Sequence, residues 1–221
     1  MKFTNLIPNG LSTLNLILGF LSILSSIRGN FANAALFILL AILADGFDGK
    51  IARRFQAVSD IGKEFDSLAD LVSFGVAGSI LIYEKFLTGM EFGVFVPVLA
   101  LVCTALRLAR FNIDPNPSYF VGLPSPAFGF FAAALSLSGL SLETNIVAFA
   151  TAVVSLVMVS TIKYPTFKTA GKKGWLFLGI LIFIFVALAY YNKQYLVLPF
   201  LFYAILGPAI QKFMPAKGSI K

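Results

Sequence analysis

The chain has 221 residues, 58% hydrophobic and only 12% charged, with a mean hydropathy of +0.89. Soluble domains carry about 25% charged residues, so a soluble fold with one anchor is excluded and a single membrane domain over residues 1–221 is expected. With no histidine and one cysteine, the chain lacks imidazole chemistry and disulfides, which leaves carboxylates as general bases near neutral pH. The net charge of +7 is scattered over short loops, a pattern that fits an anionic lipid rim and not a nucleic-acid partner.

A membrane-spanning helix needs about 20 mostly apolar residues, and eight stretches qualify. The first runs from Leu11 to Ile27. It is punctuated by Asn9, Asn15 and Gly19 and has no small-residue cleavage site, so it reads as a retained helix and not a signal peptide. The second, Phe31 to Phe55, is polar in its last turns, and the third, Gly62 to Tyr83, is polar in its first. Phe92 to Phe111 and Ser125 to Leu140 follow, the latter short and weakened by Gly129 and Gly139. Asn145 to Ile162, Trp175 to Tyr191 and Leu196 to Phe213 complete the set. The predicted fold class is therefore all-α: a polytopic integral membrane helical bundle. With the N-terminus in the cytoplasm, only Arg28, Lys85 and Lys193 of the seventeen basic residues fall on the far side. That bias puts both termini in the cytoplasm. Two cytoplasmic loops stand out. Asn112 to Pro124 carries three prolines and is expected to be ordered. Lys163 to Gly174 carries four lysines, suited either to lipid headgroups or to simple topogenesis.

Four of the ten acidic residues, Asp45, Asp48, Asp66 and Asp70, sit at fixed spacings in the stretch from Asp45 to Asp70. Asp45 and Asp48 are three apart at the end of the second helix, and Asp66 and Asp70 are four apart at the start of the third. Each pair shares a helix face, and a short turn brings the two faces together. Four converging carboxylates require compensation, and hard oxygen donors without His or Cys suit Mg2+ or Mn2+, with Ca2+ also chemically compatible. Four carboxylates are enough for two ions, an arrangement that commonly binds phosphate. Gly46, Gly49, Ala52 and Gly62 permit close approach of a ligand or a helix, and Arg53 lies where it can hold a diphosphate oxygen. Simple ion pairing with Lys50, Arg53, Arg54 and Lys63 is the plainer alternative.

The string Asp45-x2-Asp48-Gly49-x2-Ala52-Arg53-x8-Gly62-x3-Asp66-x3-Asp70 resembles the signature of the CDP-alcohol phosphotransferases at every specified position. That family is membrane-embedded and metal-dependent, and moves a substituted phosphate from a CDP-linked donor to an alcohol with release of CMP. The resemblance implies that Asp45, Asp48, Asp66 and Asp70 hold two divalent ions and that Asp70 is also the base for the acceptor hydroxyl. It implies that Gly49 and Arg53 contact the nucleotide diphosphate, with Ala52 and Gly62 allowing close approach, and that the protein is a homodimer.

Outside the signature, three stretches resemble the small bacterial- and archaeal-type phosphatidylserine synthases of that family. They are Ile7 to Asn15, Lys63 to Gly75, and the pair Leu106 to Asn112 with Phe120 to Ala127. The resemblance covers residues 5–135, and residues 145–213 read only as additional apolar helices. It implies CDP-diacylglycerol or CDP-archaeol as donor and L-serine as acceptor, at the cytoplasmic face of the cell membrane. Serine is a zwitterion. Arg107 and Arg110 suit its carboxylate, and Asn112 with loop carbonyls near Gly122 and Ser125 suits its ammonium. Asn9, Ser12 and Asn15 either face the nucleotide or serve as caps and packing residues. The alternatives are another acceptor, such as inositol phosphate or glycerol phosphate, or a divalent-cation transporter. A transporter is disfavoured because the acids cluster at one face and no internal repeat is present.

Overall fold

The first helix is apolar outside and polar inside. In α1 (Leu6–Ile27), Leu14, Ile17 and Phe20 are exposed whereas Ser12, Asn15, Ser22 and Ser26 are buried. A helix facing lipid has this polarity, because hydrocarbon accepts the leucines while neighbouring helices take the small and polar side chains. Gly29, at φ +72°, and Asn30 turn the chain, and Asn30 Oδ1 accepts from the Asn33 N–H at 3.3 Å to cap the next helix. That helix is α2 (Phe31–Phe55). It buries Ala34, Ala35, Ala41 and Ala44, and α1 packs along it with Ser22 Oγ donating to Ala34 O at 2.9 Å. The computed structural model describes residues 6–55, 60–113, 119–165 and 190–213, without the side chains of 6–9, 48–55 and 213.

The organising element is α3, a continuous helix from Asp60 to Leu87 packed against α1 and the helices that follow. Over half of its apolar window is buried, 56%, against 28% for α1. It is not uniformly α-helical: Leu71–Val76 and Tyr83–Leu87 are π-helical turns. Such wide turns usually stand at functional positions, and the first begins immediately after Asp70. At Gly19 of α1 a Cβ would come within 2.6 Å of Ser73 Cα. Glycine there lets α1 rest on the π turn backbone to backbone.

Three further helices enclose α3: α4 (Phe95–Ile113), α5 (Ser125–Leu137) and α6 (Thr144–Val159). Ile38, Phe74, Leu81, Phe128 and Val147 form the core among them. The weak helix expected from Ser125 forms because Gly129 lets Phe74 pack against it, and it stops at Leu137, two residues before Gly139 at φ +66°. A 3-10 turn at Lys193–Val197 leads into α7 (Leu198–Phe213). Four described helical segments are long and apolar enough to cross a membrane: Gly10–Ile27, Asp60–Leu87, Phe95–Ile113 and Lys193–Lys212. Three shorter apolar helices accompany them. The chain is thus a helical membrane protein. The helix expected from Trp175 to Tyr191 falls almost wholly outside the described residues.

The all-α expectation needs one correction. Strands β1 (Tyr119–Val121) and β2 (Lys163–Pro165) pair antiparallel, with Phe120 opposite Tyr164. The two loops are far apart in sequence, so no local periodicity announces the ribbon; tertiary packing brings these β-forming residues together. Tyr164 is buried, its hydroxyl donates to Ala204 O at 3.2 Å, and its ring lies 5.5 Å from that of Tyr203, fastening the ribbon to α7. Burial pushes the Tyr164 phenol up, which keeps it a donor.

Gly122 turns the chain from β1 into α5. Its φ is +78°, its N–H donates to Ile162 O at 2.8 Å, and a Cβ there would collide with the Met158 carbonyl oxygen. Gly122→Ala is expected to lose about 1–3 kcal/mol from backbone strain alone, seen as a lowered melting temperature in detergent. An unchanged melting temperature would show that the loop accommodates the side chain.

Candidate active site

Three carboxylates converge where α2 meets α3. Asp45, Asp66 and Asp70 each present one oxygen, and these oxygens lie within 4.8 Å of one another. At that distance each pair of charges repels by roughly 3 kcal/mol even at an effective dielectric of 20. Asp70 is buried, so its charge is also costly to desolvate. The α-helical periodicity of Asp60–Asp70 puts Asp66 and Asp70 one above the other, and Asp45 reaches them from the polar end of α2.

Helix α1 holds the cluster from behind. Ser12 Oγ donates to Asp66 Oδ1 at 3.3 Å, and Asn15 Nδ2 donates to Asp70 Oδ1 at 3.0 Å. The backbone carbonyl of Asn15 accepts from Ser73 Oγ at 2.7 Å. Asn15 therefore grips α3 at two points, on Asp70 and on the π turn beyond it. Its Oδ1 is buried with no hydrogen-bond partner among the described residues. The donor set is all oxygen and like-charged, and Ser12 and Asn15 donate to it from α1. Those features fit a divalent cation of the Mg2+, Mn2+ or Ca2+ kind.

On the other flank, Arg107 is 6% exposed. Its Nη1 donates to Ser125 Oγ at 2.8 Å, its Cζ lies 6.0 Å from the Phe120 ring centroid, and its Nε has no partner among the described residues. Its charge acts on Asp70 and Asp45, so the arginine and the carboxylates belong to one electrostatic site. A cavity of about 210 Å³ opens beside it, lined by Arg107, Arg110, Phe111, Tyr119, Phe120, Val121 and Thr161.

Not every residue singled out from the sequence faces this cavity. Arg110 reaches the end of α6, donating to Val159 O at 3.0 Å and Ser160 O at 3.2 Å, while still lining the cavity wall. Asn112 turns to α3: Lys63 Nζ donates to its carbonyl at 2.8 Å, Ser67 Oγ to its Oδ1 at 2.9 Å, and its Nδ2 donates to Glu64 Oε2 at 3.0 Å. Gly122 shapes the turn, with its N–H already engaged. Gly62 lies in the first turn of α3. Asp48, Gly49, Ala52 and Arg53 lie on the helical backbone of α2 and Asn9 on that of α1, and their side chains are outside the described residues. From the sequence, Asn15 stood between facing the nucleotide and packing between helices, and Ser73 and Phe120 entered only as members of the resembling stretches, with no role of their own. The available signal was Asn15 three residues from Ser12, which puts the two polar side chains on one face of α1.

Fold and cluster together define a helical membrane protein with a partly buried carboxylate site suited to a hard cation. The chain belongs to the CDP-alcohol phosphatidyltransferase family, whose model matches residues 5–162. It is 40% identical over 166 residues to the CDP-diacylglycerol–serine O-phosphatidyltransferase of Bacillus subtilis, covering 74% of this chain and 92% of that one. The archaetidylserine synthase of Methanothermobacter thermautotrophicus is 39% identical over 175 residues, 77% of this chain and 75% of the relative. The CDP-diacylglycerol–serine O-phosphatidyltransferase of Methanocaldococcus jannaschii is 38% identical over 164 residues, 73% and 74% of the two chains.

Proposed function

We propose that this protein transfers a phosphatidyl or archaetidyl group from CDP-diacylglycerol or CDP-archaeol to the hydroxyl of L-serine, releasing CMP. The observation that carries the reading is the convergence of Asp45, Asp66 and Asp70 beside a buried arginine, in a chain whose relatives are named for this transfer. Asp45, Asp48, Asp66 and Asp70 hold two divalent ions, Mg2+ or Mn2+, with Ca2+ also suited. When bound, these supply positive charge against the donor diphosphate. Gly49, Ala52, Arg53 and Gly62, with Asn9 and Ser12 on α1, form the CDP-binding side.

Asp70 accepts the proton of the serine hydroxyl. The serine oxygen then bonds to the lipid-linked phosphorus, and the bond from that phosphorus to the CMP oxygen breaks, leaving charge that Arg53 stabilises. Asn15 fixes one oxygen of Asp70, so the carboxylate is oriented before substrate arrives. Arg107, oriented by Ser125 and lying over Phe120, and Arg110 take the serine carboxylate, and loop carbonyls near Gly122 and Ser125 take the ammonium. The charge bias of the loops supports eight spans with both termini in the cytoplasm and the site at that face of the cell membrane. Residues 1–221 then form one membrane domain in a homodimer.

The test is CMP release by purified protein given CDP-diacylglycerol, Mg2+ or Mn2+, and one acceptor at a time. Serine is expected to release CMP, and EDTA to abolish release until metal is restored. Release with inositol phosphate or glycerol phosphate but not serine would overturn the acceptor. No release with any acceptor, alongside metal flux in liposomes, would point to transport.

A further inference from the structure

In the proposed reaction the donor phosphate and the acceptor are held on different helices. The carboxylates Asp66 and Asp70 are on α3, whereas Arg107 is on α4. The relative position of these two helices therefore sets how closely the acceptor oxygen approaches phosphorus. A misplacement of about 1 Å can cost roughly 100-fold in rate. Farther along α3 the two helices touch at Gly75 and Thr104, where a Cβ on the glycine would stand 3.1 Å from the threonine methyl. At the end that carries the site, the described contact is made by Asn112, five residues beyond Arg107.

Both ends of the Asn112 amide engage α3, and so does its backbone carbonyl. Oδ1 accepts from Ser67 Oγ at 2.9 Å, Nδ2 donates to Glu64 Oε2 at 3.0 Å, and the carbonyl accepts from Lys63 Nζ at 2.8 Å. Glu64 and Ser67 flank Asp66 in sequence, and Ser67 is one turn before Asp70 along the helix. Asn112 is not among the residues that line the cavity beside Arg107. An amide serves here because it must accept on one side and donate on the other. A carboxylate would meet Glu64 with like charge, and an aliphatic side chain would release both partners.

We propose that Asn112, with Lys63, Glu64 and Ser67, is a clasp that positions the carboxylate helix against the arginine helix, and that Asn112 does not itself bind the acceptor. The proposal rests on the function given above. Asn112 is a positioning residue.

A polarity swap tests it. N112D sets a carboxylate against Glu64 and is expected to lower kcat roughly tenfold. E64Q alone is expected to stay within about twofold of wild type, since an amide oxygen still accepts from Asn112. In the double variant E64Q/N112D the glutamine amide donates to the new carboxylate, and kcat is expected to return to within about threefold of wild type. The KM for serine is expected to stay within about threefold throughout. Failure of E64Q to rescue N112D, or a rise in serine KM that the swap leaves in place, would overturn the clasp and make Asn112 an acceptor ligand. The assay uses whichever acceptor releases CMP from the wild-type protein, so failure of serine would overturn the acceptor reading and leave this test standing. Melting in detergent gives a second readout independent of turnover. S67A and N112A are expected to be non-additive in melting temperature, and full additivity would likewise overturn the contact.

Discussion

Asp70→Asn is expected to lower kcat by about 10³-fold or more, the scale of a lost general base, while keeping part of the affinity for CDP-diacylglycerol. The substitution is nearly isosteric, and its amide oxygen still accepts from Asn15 Nδ2, so the contact that orients residue 70 survives. What disappears is the negative charge and the capacity to take the serine proton. Turnover measured as CMP release, paired with calorimetric binding of the CDP-lipid in detergent, separates the two losses. Near-normal turnover would remove Asp70 as the base. Complete loss of donor binding would assign it to the metal site alone.

The second large effect is expected at Arg107. Arg107→Lys keeps the buried positive charge, which avoids leaving Asp70 uncompensated. It discards the planar fork and the bond to Ser125 Oγ. Losing a charge-assisted, two-point hold on a carboxylate is worth roughly 2 kcal/mol, about 30-fold. The expected result is a rise of about that size in the KM for serine, with the KM for CDP-diacylglycerol within about threefold of wild type. An increase confined to the CDP-lipid would transfer Arg107 to the donor side. An unchanged serine KM would remove it from the acceptor pocket.

Both results depend on how α1 supports the site. Asn15 holds Asp70 with its side chain and Ser73 with its backbone, and Gly19 lets the two helices touch just beyond. The π turn at Leu71–Val76 begins just after Asp70 and carries Ser73, the residue that the other two contacts meet. A wide turn changes the direction in which the following residues point relative to those before it. Asp66 and Asp70 can therefore face the cluster while Phe74, four residues on, faces the core.

Much of this was legible in the chain itself, and for identifiable reasons. Hydrocarbon thickness and the need to satisfy backbone groups make membrane helices long and apolar, so their ranges can be read from composition. Phe31–Phe55 and the start of α5 at Ser125 coincide with expectation. Spacings of three and four put acids on one helix face whatever surrounds them, and Asp66 and Asp70 follow that rule. Contacts between distant segments were not legible. The Phe120–Tyr164 pairing has no local signature, and the turning of Asn112 toward Ser67 and Glu64 depends on how α4 leans on α3. The chemistry of a zwitterionic acceptor made Asn112 a candidate ammonium ligand, whereas its contacts in the fold run to Lys63, Glu64 and Ser67.

The amino-acid order alone thus determined the membrane class, the helix periods and the identity of a carboxylate motif, because each depends on local spacing and on transfer of side chains from water to lipid. The tertiary structure decided which groups meet. It brought Asp45 to Asp66 and Asp70, set Asn15 behind Asp70, laid Arg107 on Phe120 and turned Asn112 away from the cavity. Those contacts depend on helix packing at separations of tens of residues, where small residues such as Gly19 and the alanines of α2 govern how closely two backbones approach.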